Sequence, residues 1–150
     1  SSFIANSASC GGAINNSIND AHGDISIEKC IFTKNKADHG GAISNSYVVR
    51  IRECDFDSNA SKLGGAIYSI TTYANYLGVA DSTFSSNRAD EKGGAIIVHG
   101  DLEAKNSSFN HNSSEKGGAI YNSHEGRFKL EDCSYKDNTP DDVLCNYDHC

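Results

Sequence analysis

Apolar and polar positions along this chain follow a template that returns every 24 to 29 residues. It is anchored on six aromatic residues, Phe3, Phe32, Phe56, Phe84, Phe109 and Tyr135. Seven positions before the aromatic stand Ile25, Val49, Leu77, Leu102 and Phe128, and five before it Ile27, Ile51, Val79, Ala104 and Leu130. Two before it the residue is small: Ser1, Cys30, Cys54, Ser82, Ser107 and Cys133. Three after it is always Asn: Asn6, Asn35, Asn59, Asn87, Asn112 and Asn138. Apolar residues in steps of two predict a strand. The single step of three between the fifth and second positions shifts the phase and predicts a bend.

A second element follows in each unit. The tetrapeptide GGAI recurs at Gly11, Gly40, Gly64, Gly93 and Gly117, so that Ile14, Ile43, Ile67, Ile96 and Ile120 restart a strand. Helix is disfavoured by the Gly, Asn and Ser content. Units of about three short strands that cannot bury an apolar face alone must stack. The pattern predicts an all-β chain: a right-handed parallel β-helix of about five to six coils in a single domain spanning 1–150. Its repeats lie near 3–31, 32–55, 56–83, 84–108 and 109–134, with a degenerate last coil and tail at 135–150. Equivalent residues on successive coils then stand about 4.8 Å apart. The aromatics and the GGAI isoleucines form inward columns. Each Asn sits in a turn, tolerating left-handed dihedrals, with its amide paired to the coils above and below. The outward rows Ser26, Arg50, Gly78, Glu103, Lys129 and Glu28, Arg52, Ala80, Lys105, Glu131 never place like charges on adjacent coils, as strand pairing requires.

F-x-x-N followed closely by GGAI resembles the repeats of the chlamydial polymorphic membrane proteins and of adhesin-like surface proteins, both of the parallel β-helix, pectate-lyase-like class. The resemblance runs from Phe3 to Asn138. It implies an extracellular or cell-surface, adhesive β-helix and carries over no catalytic residue.

Charge and composition narrow the functions. The net charge is −7, against a nucleic-acid surface, which needs a basic face. No apolar run approaches the roughly 18 residues of a membrane span. The chain opens on "SSFIAN", part-way through a repeat, as expected of a processed product or an excerpt. Catalysis is not expected, because the outward rows read as mixed charge ladders rather than clustered carboxylates. The six histidines make no metal-ligand spacing, and the glycine pairs meet neither a calcium nor a phosphate motif, so neither metal nor cofactor is expected.

Six cysteines point to an oxidising compartment. Cys30 and Cys54 share an inward row on adjacent coils and are expected to pair, with two stacked thiols as the alternative. Cys133 would then take Cys145 from the tail. Cys10 and Cys150 lie near opposite ends of a rod about 24 Å tall and are candidates for a link between subunits. Sequons at Asn15, Asn59, Asn106 and Asn112 are candidate N-glycosylation sites. The irregular insert "YSITTYANYLG" carries Tyr68, Tyr73 and Tyr76, which suit carbohydrate stacking or protein contact.

Two functions follow. The leading expectation is a secreted structural protein, the subunit of a fibre or surface rod that adds coils head-to-tail onto another copy. The alternative is an adhesin-type module that recognises a glycan or a surface protein.

Overall fold

The computed structural model describes residues 1–17, 23–70 and 76–147. Every strand pairing in it is parallel, and each strand pairs with its equivalent one coil away. An aromatic sheet stacks Ser2–Ile4, Ile31–Thr33, Asp55–Asp57, Thr83–Ser85, Ser108–Asn110 and Ser134–Lys136 in chain order. An aliphatic sheet stacks Ile25–Glu28, Val48–Arg52, Tyr76–Ala80, Asp101–Lys105 and Phe128–Glu131. The strands that begin at the GGAI isoleucines, Ile14–Asn16 through Ile120–Asn122, form a third sheet closed by Val143–Cys145. A short two-stranded sheet, Ala60–Leu63 with Arg88–Lys92, lies on the path between the aromatic and third sheets. The molecule is a parallel β-solenoid, as the repeat predicts.

The register is the one read from the aromatics. Phe3 pairs with Phe32, Phe32 with Phe56, Phe56 with Phe84, Phe84 with Phe109, and Phe109 with Tyr135. Their rings form one column with centroids 4.7–4.9 Å apart among the phenylalanines and 5.5 Å at Tyr135. The coil spacing imposes this near-parallel stacking. Phe32, Phe56, Phe84 and Phe109 are fully buried, with Ile43, Ile67, Ile96 and Ile120 across the core.

A polar column stands beside the aromatic one. Asn35 donates its side-chain N–H groups to Asn59 Oδ1 and to Phe3 O, both at 2.9–3.0 Å. Asn59, Asn87 and Asn112 repeat the arrangement on the following coils. Each receiving oxygen also accepts the backbone N–H of the preceding Asn. The amides are buried yet satisfied, which is the condition for polar groups in a core.

Each coil turns at two left-handed residues. One lies three before the aromatic (Lys29, Glu53, Asp81, Asn106, Asp132) and breaks the sequence-predicted bend into two strands. The other lies two after it (Ala5, Lys34, Ser58, Ser86, His111, Asp137). This corrects the expectation for the asparagines. The left-handed residue is the one before Asn, and Asn itself serves the ladder. The two glycines of GGAI have separate jobs. The first has φ between +57° and +66°. At the second, a Cβ would come within 2.0–2.5 Å of a carbonyl oxygen on the next coil.

Candidate functional site

The outward rows of the aliphatic sheet carry long charged side chains apart from Ser26 on the first strand and the middle coil, where both outward residues, Gly78 and Ala80, are small. The register sets Arg50 and Arg52 beside them on one side and Glu103 and Lys105 on the other. The missing side chains leave a surface groove of about 320 Å³. Tyr76 forms one wall. A Cβ on Gly78 would lie 2.9 Å from its ring, so the glycine makes room for the tyrosine. Its hydroxyl donates to Glu103 Oε2 at 3.2 Å, and the Arg50 guanidinium lies 5.7 Å from its ring centre. Burial, and then the Glu103 carboxylate, push the phenol above its ordinary range, which keeps it a donor.

The cations keep donors to spare. Arg50 stands 3.7 Å from Asp24, and Arg52 stands 3.5 Å from Glu53 and 3.7 Å from Asp81. These distances exceed good hydrogen-bond length. Lys105 pairs loosely with Glu131 at 3.8 Å, whereas Glu103 is held by Arg127 at 3.1 Å.

The other candidates scatter. Of the three insert tyrosines, Tyr76 belongs to the groove and Tyr73 lies outside the described residues. Tyr68 sits on the third sheet, where His39 meets its ring edge-on at 4.9 Å. Tyr68 and Tyr76 therefore do not share a site. Sequence reasoning missed Gly78 and Ala80, whose signal was present as the two gaps in the charge rows.

The disulfide expectation needs correction. Cys30 and Cys54 do stack on adjacent coils, but both thiols are free, as are Cys10 and Cys133. In-register parallel strands aim successive side chains the same way, so the sulfurs do not converge. The row has another use. Cys30 N–H points at Cys54 Sγ (3.4 Å), Cys54 N–H at Ser82 Oγ (3.1 Å), and Ser82 N–H at Ser107 Oγ (3.2 Å). Each of these side chains donates back to the carbonyl two residues earlier. The cysteines play the part of serine. Cys145 is disulfide-bonded, but not to the free Cys133. Of the candidate pair Cys10 and Cys150, the latter lies outside the described residues, and Cys10 Sγ is 4.0 Å from His39 Nδ1.

Two of the four sequons also fall. Asn59 and Asn112 are fully buried rungs of the asparagine ladder, where a glycan could not be attached to the folded chain. Asn15 and Asn106 are exposed.

Among the described residues no three metal-ligating side chains gather, and no helix is long and apolar enough to cross a membrane. His99 and His124 meet with ring centres 4.5 Å apart and planes inclined by 46°, and His99 Nδ1 lies 3.1 Å from Ser123 Oγ.

Three segments, residues 29–46, 81–97 and 106–123, match the Chlamydia polymorphic membrane protein (Chlamydia_PMP) repeat. Each holds one F-x-x-N and one GGAI. No curated protein and no solved structure matches the chain. The matched segments span the corner, the asparagine rung and the glycine turn of three coils of this parallel β-solenoid.

Proposed function

We propose that this chain is an extracellular, surface-displayed, adhesin-like solenoid that acts by binding rather than by catalysis. The repeat family supports the surface setting. The observation that carries the binding role is the groove over Gly78 and Ala80, where the outward charge rows are interrupted beside Tyr76. A solenoid needs no such gap to stack, and the strand ladder fixes the backbone positions from which the flanking side chains project, which favours recognition. The test is retention of the purified chain on cell surfaces and on glycan and protein arrays. Wild type should be retained and Gly78→Gln, which refills the row, should not. Retention of neither overturns the reading, and equal retention moves the contact away from the groove.

A second reading is axial assembly with further copies of the chain into a rod. Ser2–Ile4 and Ser134–Lys136 are the two edges of the aromatic sheet, and their rings Phe3 and Tyr135 are only half-buried. Unpaired parallel edges are templates for another strand, and head-to-tail contacts that do not close give filaments. Sedimentation against concentration decides it: growing species support the rod, and a monomer at every concentration overturns it.

A further inference from the structure

The groove's chemistry points to one class of ligand. Its central strand, Tyr76–Ala80, is hydrogen-bonded to a neighbour on both sides. No backbone edge is open there, so an extended peptide could not add as a strand. At about 320 Å³ the groove stands at the small end of the range for small-molecule sites, room for one ring-sized group and not for a helix. Tyr76 lies across Gly78, where a Cβ would stand 2.9 Å from its ring, so the open floor is Ala80 beside the phenol, a small apolar patch that suits the C–H face of a pyranose.

The charge is equally specific. The chain as a whole is acidic, at −7, yet this groove is lined by three cations against two carboxylates. Arg50 and Arg52 alternate on one strand and face the same way, roughly 6.6 Å apart at strand rise. A carboxylate held between them takes a charge-assisted bond from each fork. Glu103, fixed by Arg127 and the Tyr76 hydroxyl, stands across the floor as an acceptor for sugar hydroxyls. Lys105 adds a second cation on that side.

We infer that this groove binds a carboxylated sugar unit, of the uronic or sialic acid class, with its carboxylate on Arg50 and Arg52, its ring over Ala80 against the Tyr76 phenol, and a hydroxyl on Glu103. This rests on the binding reading above and names the ligand for the same site.

The experiment uses the whole chain on a glycan array that carries matched sets: carboxylated oligosaccharides, the same with the carboxylate reduced to an alcohol, and sulfated counterparts. Carboxylated glycans should be retained. Arg50→Gln and Arg52→Gln should each weaken that retention about tenfold, and raising salt should weaken it further. Gly78→Gln should abolish it, with thermal melts confirming that each variant folds. Equal binding of the reduced or sulfated sets overturns the carboxylate assignment. Binding of any glycan or protein that is untouched by the three variants places the ligand elsewhere; it overturns the assignment while the adhesive role stands. No retention on the array, together with no retention on cells, removes both.

Discussion

The side-chain amide of Asn59 donates to the carboxamide oxygen of Asn87 at 3.0 Å, and the same oxygen takes the backbone N–H of Asn59 at 3.0 Å. One atom thus satisfies two buried donors on the neighbouring coil, while the Asn87 amide serves Phe56 O and Asn112. Asn87→Ala strips partners from all of them. An unsatisfied buried donor or acceptor costs about 1–3 kcal/mol, so after relaxation the variant should lose about 3 kcal/mol in urea unfolding. The exposed Asn15→Ala, on the strand Ile14–Asn16, should lose under about 1 kcal/mol.

Gly94 tests the closeness of the coils. A Cβ there would lie 2.0 Å from Gly118 O and 2.6 Å from Ser113 N, both backbone. No side-chain movement relieves that contact, so Gly94→Ala should cost about 3 kcal/mol or more. Among the described residues a Cβ on Gly23 meets only the Asn16 side-chain oxygen, at 3.2 Å, and Gly23→Ala should stay within about 0.5 kcal/mol of wild type. Thermal denaturation of the two variants side by side checks the contrast.

Cys54 should be replaceable by the residue whose work it does. Cys54→Ser keeps an acceptor for Cys30 N–H and a donor to Arg52 O, as Ser82 and Ser107 do in their coils. It should change stability by less than about 1 kcal/mol, whereas Cys54→Val, which keeps the volume and loses the polar atom, should cost about 1–3 kcal/mol. Burial also pushes the Cys54 thiol up. It should resist a disulfide-exchange reagent until the chain unfolds.

Tyr135 closes the aromatic column with a buried hydroxyl that has no hydrogen-bond partner, only the weakly polar Cys133 thiol beside it. The five phenylalanines before it in the column have no such group. Tyr135→Phe removes an uncompensated polar atom and should leave stability unchanged or raise it by about 1 kcal/mol, read as a higher midpoint in urea.

His99 gives the pH dependence a sign. Burial, and then the neighbouring His124, hold its folded pKa below the ordinary histidine value. The unfolded chain therefore takes up this proton at higher pH than the folded one. Stability should fall as pH drops below about 6.5 and level off below the folded value. Wild type should lose ground to His99→Gln between pH 7 and 5 in parallel unfolding curves. Equal slopes would show that the pair is not coupled to folding.

The residues themselves determined the coil. A spacing that holds Phe, Asn and GGAI in step from Phe3 to Asn138 leaves one register, because a one-residue slip turns every buried side chain outward. That is why the aromatic column and the isoleucine column could be placed from the chain alone. What the chain could not show was direction at the atomic scale. Asn59 and Asn112 read equally well as glycan acceptors until burial made them rungs. Cys30 and Cys54 read as a disulfide until parallel stacking pointed their sulfurs the same way. The groove was legible only in part: Gly78 and Ala80 show as gaps in the charge rows, but the fold alone lays Tyr76 over Gly78 and joins it to Glu103. A sequence lists neighbours along the backbone, while the site is made by neighbours across the coils.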